Sequence, residues 1–547
     1  MFSVNSSRIA LPLAPAFSAL LLLAYLLPGL VGHDPWKSED AIGIGIVHQM
    51  LEHGRWFVPH LAGEPYLEDG PFHYWIAALT AKLLGWALDL HDGARMASGV
   101  MMAAVIGLVY ATGRELYGKL EATGAVLALL GCLGLLVHAH ETLGEISMLA
   151  GQALAWYGIA IARSTPHRGG WLIGLGLAVA ALSKGVPAVI APLAVALAAP
   201  LLSSAWRRRE YLPALTQAIL VFLLLVGGWA ALAERSFPGF FPAWRDATAA
   251  QFAVPPVSVL GFWGTVLAWA TWPTWPLAAW TLWDARRRAF DAGMRMLIAA
   301  VAASLAVLLF LADPREVYSL PLLVPLSVLG GAGVPSLRRG AANGLAWFGV
   351  ITAAFFGLLV WVGWFAMTTG FPHAIARNFT RLEPGHVQHF SWLAFTVALA
   401  CTLAWLALIV KSERTAPFRS VTFWAAGITL LWALAMTLIL SWIDYGKSYR
   451  QVAEAMRKQI PEGTRCVESQ GLGEAQRAIF DYRVDLVTRR IESRGEAGCP
   501  LLLVQARLGD SDDIGPGWKF IWEGRRPRDR ERYRLYQRTD TAARERP

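Results

Sequence analysis

The chain has 547 residues, of which 55% are hydrophobic and 16% are charged, and its formal net charge is +9. Soluble domains carry about 25% charged residues, so this composition excludes a purely soluble protein. The Lys and Arg residues lie between long apolar runs rather than on one soluble face, which excludes a nucleic acid as partner.

Apolar runs of membrane-spanning length recur through the first 441 residues. Because a helix needs about 20 residues to cross a bilayer, we predict a polytopic α-helical membrane protein of about 13 spans that begins with a retained anchor. The predicted spans lie near residues 11–30, 94–113, 121–138, 146–162, 171–184, 185–203, 213–233, 259–283, 294–311, 317–334, 343–367, 392–410 and 421–441.

Basic loops give the predicted orientation, because short loops rich in Lys and Arg stay in the cytoplasm. The arginines at 207–209, 286–288 and 338–339 fall on one side of the predicted spans. The opposite side holds a long first loop, residues 32–93, and everything after Trp442. We therefore expect a multi-pass protein of the bacterial inner membrane whose C-terminal part lies in the periplasm.

The last part of the chain differs in character from the rest. Charge is dense over residues 442–547, where a helical pattern at 449–460 precedes a strand-like run at 501–504. We predict a transmembrane domain over 1–441 and a small extracytoplasmic α/β domain over 442–547. This second domain contains Cys466 and Cys499, and an oxidising compartment would permit a bridge between them.

The first extracytoplasmic loop is the most informative segment. Glu39 and Asp40 open an amphipathic helix that we expect to reach about Glu52. A run rich in aromatic and charged residues follows, from Trp56 to Trp75. Its polar members include His60, Tyr66, Glu68, Asp69 and His73.

Three shorter motifs follow in order: an acidic residue, Glu145, in the second extracytoplasmic loop, a Leu-Ser-Lys-Gly sequence around Lys184, and a segment from Arg315 through Tyr318 to Pro321. Together with the first loop they resemble the GT-C superfamily, especially glycosyltransferase family 39 and the lipid A aminoarabinose transferases. The resemblance extends over roughly residues 10–335.

The resemblance implies a GT-C glycosyltransferase that moves a sugar from a polyprenyl phosphate to an extracytoplasmic acceptor, lipid A or another envelope glycan or lipid. The implied reaction is a single inverting displacement, and the partners are the lipid-linked donor, the acceptor and membrane lipids. The implied catalytic carboxylates are Glu39, Asp40 and Glu145. The implied phosphate-binding residues are Lys184, Arg315, His60 and Tyr318, and the implied cavity residues are Tyr66, Glu68, Asp69 and His73.

The chain departs from the aminoarabinose transferases in the first loop. Where they carry Arg-Tyr it has Ile42-Gly43, and the Lys of their E-K-P-P sequence is Asp69 here. Two expected phosphate contacts are therefore missing. Either other basic residues of the site hold the donor, or the activity has changed, and the sequence leaves both possibilities open.

Other interpretations also stay open. Glu39 and Asp40 alternatively are N-terminal helix charges that the helix dipole favours, and Lys184 and Arg315 alternatively extend to the membrane interface by snorkelling. The first-loop histidines lack the short paired spacing of a metal site, so we predict no cofactor and keep a divalent metal only as a weaker alternative. The alternative functions are a protein O-mannosyltransferase, a lipid or glycan transporter, and a catalytically degenerate binding subunit.

Overall fold

The chain is helical through most of its length and forms a small sheet near its C-terminal end. The computed structural model describes residues 15–36, 38–287, 290–413, 416, 418–464, 466–495, 498–507, 509, 514–515, 517–526 and 529–539. The first four residues of the first predicted span and Arg288 of one basic loop lie outside this part.

The helices that precede the C-terminal sheet follow one another with short connections. They are α1 (Pro15–Leu26), α2 (Glu39–His53), α3 (Phe72–Leu84), α4 (Leu90–Leu116), α5 (Lys119–Leu130), α6 (Leu133–Leu136), α7 (Gly144–Ile161), α8 (Pro166–Lys184), α9 (Pro187–Leu202), α10 (Tyr211–Ser236), α11 (Phe240–Ala250), α12 (Val257–Ala270), α13 (Thr274–Ala285), α14 (Ala292–Leu309), α15 (Leu323–Gly333), α16 (Arg339–Thr369), α17 (His373–Leu382), α18 (Trp392–Lys411) and α19 (Arg419–Leu438). Short 3-10 turns lie at His138–His140, Ser204–Trp206, Glu316–Leu322 and Val334–Ser336.

Seven spans among the described residues are long and apolar enough to cross a membrane, or eight when a bent pair that begins with α5 counts as one. Several predicted spans are shorter than expected. The run at 259–283 is broken between α12 and α13 at Pro273, whose nitrogen has no hydrogen to continue the helix. The run at 185–203 forms the 16-residue α9. The multi-pass helical architecture is confirmed, and the number 13 stays a prediction.

Helices α7 and α8 form a closely packed antiparallel pair. A Cβ atom at Gly151 would lie 2.6 Å from the backbone nitrogen of Ala180, and one at Gly176 would lie 2.5 Å from that of Ala155. Small residues of this kind allow membrane helices to approach each other's backbones. Because the pair is antiparallel, the start of α7 lies beside the end of α8.

The first loop forms α2, a two-stranded hairpin of β1 (His60–Leu61) and β2 (Glu64–Pro65), and α3. The predicted loop helix is confirmed, since α2 ends one residue beyond Glu52. The loop ends slightly earlier than predicted, because α4 begins at Leu90.

The C-terminal part is a small α/β unit, as predicted. Its helices are α20 (Leu440–Lys447), α21 (Arg450–Arg457), α22 (Glu474–Val484) and α23 (Ile491–Arg494), and its strands are β3 (Val467–Gln470), β4 (Arg489–Arg490), β5 (Leu501–Arg507), β6 (Trp518–Gly524) and β7 (Glu531–Arg538). The sheet order is β4-β3-β5-β7-β6, with β3 parallel to both neighbours and β7 antiparallel to both neighbours. A disulfide joins Cys466 to Cys499, whose Cα atoms are 5.2 Å apart, so the bridge that the sequence left open is present.

Helix α2 lies between the membrane helices and the C-terminal unit. A Cβ at Gly43 would lie 1.8 Å from the carbonyl oxygen of Thr142, and one at Gly45 would lie 2.7 Å from the Cβ of Ala478 on α22. Residues two apart on a helix face nearly opposite directions, because each turn takes 3.6 residues. The two glycines therefore let α2 contact both neighbours at close range, and this fixes the position of its first residue, Glu39.

Candidate active site

Glu39 and Asp40 begin α2, where the helix dipole favours negative charge. Asp40 is 1% exposed and accepts hydrogen bonds from the Arg95 guanidinium (Nη2 to Oδ2, 2.8 Å) and from the Thr142 backbone N–H (2.9 Å). Burial alone would raise the pKa of Asp40, but the charge of Arg95 beside it holds that pKa below its usual value. Asp40 is thus engaged in a buried ion pair.

Arg95 also ties the segment before α2 to α4. It donates to the backbone carbonyl oxygens of His33 (2.8 Å) and Asp34 (2.9 Å). The Asp34 carboxylate in turn forms ion pairs with Arg450 and Arg483 of the C-terminal unit. A chain of buried and half-buried charges therefore connects α4, the start of the first loop and the C-terminal unit.

A second charged group lies where α8 ends and α7 begins. The Lys184 ammonium contacts an Asp69 carboxylate oxygen and lies 2.9 Å from Oε1 of Glu145. The Tyr74 hydroxyl donates to the other oxygen of Asp69. A carboxylate in the first turn of α7 and an ammonium in the last turn of α8 both complement the helix dipoles. We call Asp69, Lys184 and Glu145 the buried triad.

Arg315 lies near three carboxylates, but its contacts with the two that belong to the first loop are longer than a hydrogen bond. Its guanidinium is 3.8 Å from Glu39 and 3.7 Å from Glu68, and its Nε donates to Asp313 at 2.7 Å. The guanidinium carbon lies 5.9 Å from the centre of the Tyr318 ring. The side chain is 32% exposed, so it remains accessible to a ligand.

The Glu39 carboxyl has an unusual electrostatic environment. Burial raises its pKa to about 7, and the negative charge of Glu145 acts in the same direction, whereas the charges of Lys184 and Arg315 oppose the shift. A carboxyl with such a pKa exchanges a proton near neutral pH, as general bases and acids do.

Two cavities meet at Arg315. The first, the membrane cavity, has a volume of about 270 Å³ and extends between α9 and α14. Its polar lining includes Glu68, Glu145, Gln152, Lys184, Arg315 and Tyr318. The second, the junction cavity, has a volume of about 470 Å³ and lies between α2, the turn at Glu316–Leu322 and α22. Its polar lining includes Glu39, His138, Arg315, Glu316, Glu474, Gln476 and Gln505.

Comparison with known proteins identifies the family. A family profile described as dolichyl-phosphate-mannose-protein mannosyltransferase matches residues 68–229, which contain the buried triad. A Pseudomonas aeruginosa protein named undecaprenyl phosphate-alpha-4-amino-4-deoxy-L-arabinose arabinosyl transferase is 30% identical over 509 residues, which cover 87% of this chain and 85% of that protein. The chain belongs to this arabinosyl transferase family. A similarly named protein of Pseudomonas fluorescens is 26% identical over 342 residues, which cover 58% of this chain and 57% of the relative.

Comparison with solved structures shows that the chain has the fold of known membrane glycosyltransferases, as predicted. The crystal structure of ArnT from Cupriavidus metallidurans bound to undecaprenyl phosphate matches with a TM-score of 0.67 at 16% identity, over 95% of this chain and 97% of that one. The archaeal oligosaccharyltransferase AglB from Archaeoglobus fulgidus matches with a TM-score of 0.50 at 12% identity, over 90% of this chain and 68% of that one. With the family membership, these similarities confirm the predicted GT-C glycosyltransferase class.

The structure shows the surroundings of two first-loop residues, Gly43 and Asp69, at which the sequence departs from the motif that it resembles. The carbonyl of Thr142 occupies the space that a side chain at Gly43 would need. The Asp69 carboxylate contacts Lys184, so the first loop supplies a counter-ion to that ammonium.

Three other predicted residues have local partners. His60 bonds through Nδ1 to a backbone carbonyl of its own loop at 2.8 Å, and the Tyr66 hydroxyl lies 3.4 Å from Glu68. His73 is fully buried 2.9 Å from the Ser147 hydroxyl, and burial lowers its pKa to about 4. His73 is therefore neutral near neutral pH.

The predicted site residues separate into two sets. The residues brought together around the two cavities are Glu39, Glu68, Asp69, Glu145, Lys184, Arg315 and Tyr318. The described lining of the two cavities does not include the other predicted residues, which are Asp40, His60, Tyr66 and His73.

Several residues of the site were not predicted from the sequence. Arg95 had a detectable signal, since an arginine inside a predicted apolar span is unfavourable without a partner. Asp313 lies two residues before Arg315, next to the motif that was recognised. No sequence pattern indicated Glu474 or Gln505, because only the docking of the C-terminal unit brings them to the cavity that contains Glu39.

Across the described parts of the chain, no group of three or more His, Cys, Asp or Glu side chains has an arrangement that could hold a metal ion.

Proposed function

We propose that this chain transfers a sugar from a polyprenyl phosphate to an extracytoplasmic acceptor, which is lipid A or another envelope lipid or glycan. The main support is the meeting of two cavities at Arg315, with Glu39 on one side and the buried triad on the other. A lipid-linked donor and a separate acceptor each need an approach to the reacting atoms, and two converging cavities provide both.

Arg315 is the proposed partner of the donor phosphate. Its contacts with Glu39 and Glu68 are long, so a phosphate can replace them with shorter charge-assisted hydrogen bonds. A guanidinium placed at the leaving group stabilises the negative charge that develops as the glycosyl bond breaks.

Lys184 has a related role in this proposal. An ammonium has three donors, and two of them are directed at Asp69 and Glu145. The third is assigned to the donor phosphate in the membrane cavity. The triad then holds Lys184 in place, and Glu145 acts as a counter-ion rather than as a base.

Glu39 is the proposed general base of a single inverting displacement. Its raised pKa matches the requirement that a base accept a proton near the working pH. Asp40 is proposed to act through position only, since its ion pair with Arg95 orients the start of α2.

The donor to test first is undecaprenyl phosphate-linked 4-amino-4-deoxy-L-arabinose, for which the relatives are named. Three carboxylates, Glu68, Glu145 and Asp313, line the membrane cavity, and carboxylates accept hydrogen bonds from an ammonium group. The sugar of this donor carries such a group, and the site is compatible with it.

The proposal includes an orientation. We place the transmembrane domain over 1–441 in the bacterial inner membrane and the C-terminal domain over 442–547 in the periplasm. In support, α22 packs on α2, so the C-terminal unit lies on the same side as the first loop. The basic loops provide the second argument, as they favour the cytoplasm for the opposite side.

Transfer is tested with the purified chain in proteoliposomes that contain this donor and lipid A. The readouts are release of undecaprenyl phosphate and a mass increase of the acceptor by one aminopentose residue. We expect both signals in wild type and neither in Arg315→Ala. Absence of both signals in the wild-type protein would count against the proposed activity.

Protein O-mannosyl transfer is the second candidate, because the family profile that matches residues 68–229 carries that description. The same assay with polyprenyl phosphate-mannose and a Ser/Thr-rich peptide separates the two candidates.

A further inference from the structure

Helix α17 lies in the connection between two membrane helices, α16 and α18, and its residues separate into two faces. Each residue of a helix is rotated by about 100° from the one before it, so positions on one side recur every three or four residues. The apolar residues recur in this way and share one side: Ile375, Ala376, Phe379 and Leu382. Arg377 and Arg381 lie one turn apart on the opposite side. The helix is therefore amphipathic along its length.

Two contacts of Phe379 place α17 at the ends of membrane helices. The centre of its ring lies 5.2 Å from that of Trp442 in α20, the helix that follows the span α19. A Cβ atom at Gly363, near the end of α16, would lie 3.0 Å from Cζ of Phe379. The apolar side of α17 is thus directed at the ends of two membrane spans, and α17 is on the same side of the membrane as the C-terminal unit.

Exposed aromatic side chains flank α17. Phe371 precedes the helix and is 61% exposed, and Trp392 begins α18 and is 72% exposed. Tryptophan collects at the boundary between water and hydrocarbon, and Phe is common on the apolar side of helices that lie in this boundary. These side chains indicate that α17 lies in the membrane surface, with its arginines at the level of the lipid headgroups.

An apolar groove begins at Phe379 and follows the seam between α16 and α19. Its volume is about 350 Å³. The described residues that line it are apolar side chains and one glycine: Phe356, Leu359, Val360, Gly363, Phe379, Leu431 and Ile439. From Gly363 to Phe356 the groove extends about 10 Å toward the middle of α16, at about 1.5 Å per residue. Its length and its lining suit an acyl chain rather than a headgroup.

The charges next to the groove favour an anionic headgroup. Arg377 and Arg381 are exposed, and no ion pair joins either of them to a carboxylate of the described residues. The sequence of α17 contains no Asp or Glu. Glu383 follows the helix, but it is buried, and its Oε1 would lie 2.5 Å from a Cβ at Gly446 in α20. Two guanidinium groups one turn apart can bind one phosphate through charge-assisted hydrogen bonds.

We propose that α17 and this groove bind one anionic phospholipid of the surrounding membrane. Its phosphate contacts Arg377 and Arg381, and one of its acyl chains lies in the groove. A phospholipid fits because the cationic side of α17 is at the level of the headgroups and the apolar groove is at the depth of the acyl chains. A zwitterionic lipid fits less well, since its own cation would face the two arginines. Binding of this lipid does not depend on the proposed glycosyl transfer.

Native mass spectrometry of the full chain in detergent tests the headgroup. Phosphatidylglycerol or phosphatidylcholine with the same acyl chains is added, and the lipid retained per chain is measured. We expect about 30-fold tighter retention of one phosphatidylglycerol, and the double variant Arg377→Gln, Arg381→Gln should reduce its retention to that of phosphatidylcholine. The control double variant Lys458→Gln, Lys519→Gln removes two charges from exposed positions of the C-terminal unit and should leave retention unchanged. Equal retention of the two lipids by wild type, or an equal loss in both variants, would overturn the proposed site.

A second pair of variants tests the groove. Leu359→Trp places a larger side chain in the groove and should weaken retention of phosphatidylglycerol about 10-fold. The matched control Leu358→Trp is also exposed on α16 but lies outside the described lining of the groove, and it should bind as wild type does. Thermal unfolding verifies that both variants fold. Wild-type retention by both variants would show that no acyl chain occupies the groove, and displacement of phosphatidylglycerol by an equal amount of lipid A would identify a different occupant. Either result contradicts the proposal.

Discussion

Glu39 differs from the neighbouring carboxylates in how its charge is compensated. Asp40 lies 2.8 Å from the Arg95 guanidinium and Glu145 lies 2.9 Å from the Lys184 ammonium, whereas Glu39 lies 3.8 Å from the Arg315 guanidinium. Burial without a cation in close contact raises the pKa of Glu39 to about 7. The carboxylate most suited to accept a proton is therefore the least well paired one.

Glu39→Gln should separate catalysis from structure. We expect kcat to fall by about 10²- to 10⁴-fold, as for loss of a general base. In wild type kcat/KM should fall as pH drops below about 7, because protonated Glu39 cannot accept a proton, and the variant should lack this dependence.

The stability of the same variant has an expected sign. The folded-state pKa of Glu39 is raised above its usual 4.5, so protonation favours the folded protein, and this contribution is lost as the pH rises through about 7. Above that pH, Glu39→Gln should unfold no more readily than wild type in thermal denaturation. If Glu39→Gln kept the wild-type rate and pH profile, Glu39 would not be the general base.

Lys184→Met should destabilise the protein as well as reduce transfer. It leaves Asp69 and Glu145 buried without their cation, and breaking a buried pair in this way costs about 3–5 kcal/mol. Adding Asp69→Asn should restore part of the thermal stability but none of the turnover. Arg315→Ala serves as the contrast, because its half-exposed side chain should affect turnover alone. Restored turnover in the double variant would exclude a role for Lys184 in donor binding.

At the scale of elements, the site depends on how closely α2 can approach its neighbours. The carbonyl of Thr142 fills the space beside Gly43, and Ala478 of α22 fills the space beside Gly45. Small residues along α7 and α8 similarly allow Glu145 and Lys184 to meet. Glycine and alanine at these contacts determine the separations of the charged groups, although none of them takes part in the chemistry.

Gly43→Ala tests this control of position. The added methyl would lie 1.8 Å from a backbone oxygen, so α2 must shift, and even a displacement of about 1 Å can reduce a rate about 10²-fold. The matched control is Gly107→Ala on α4, where a Cβ meets no atom within 4 Å and activity should be unchanged. Turnover in proteoliposomes measures both, and equal turnover of the two variants would contradict the packing argument.

At the scale of the whole molecule, the C-terminal unit completes the site. Asp34 joins it to the first loop through Arg450 and Arg483, and α22 supplies one wall of the junction cavity. The disulfide between Cys466 and Cys499 fixes the segments that precede β3 and β5. These contacts require the C-terminal unit to be on the same side of the membrane as the first loop.

Reporter fusions test that orientation. Alkaline phosphatase folds only in an oxidising compartment, so its fusion after Pro547 of the full chain should be active. The control fusion after Arg209, in a loop predicted to be cytoplasmic, should be inactive. The reverse pattern would place the C-terminal unit in the cytoplasm and contradict the orientation.

Much of the fold could be predicted because its signals are local. Apolar runs indicate membrane helices wherever they occur, and acidic residues followed by an amphipathic pattern locate α2 to within a residue. The error in span length at residues 259–283 arose because apolarity alone does not show where Pro273 ends a helix.

The sequence by itself determined the GT-C class and singled out Glu39, Lys184 and Arg315, because motifs in a fixed order depend only on the chain. The tertiary structure decided which partner each charge has. Asp40 faces Arg95 while Glu39 lines the junction cavity, because adjacent positions on a helix point in different directions. Glu474 reaches the site of Glu39 across more than 400 residues only when α22 packs on α2. Electrostatic energies depend on distance and burial, and neither quantity exists until the chain is folded.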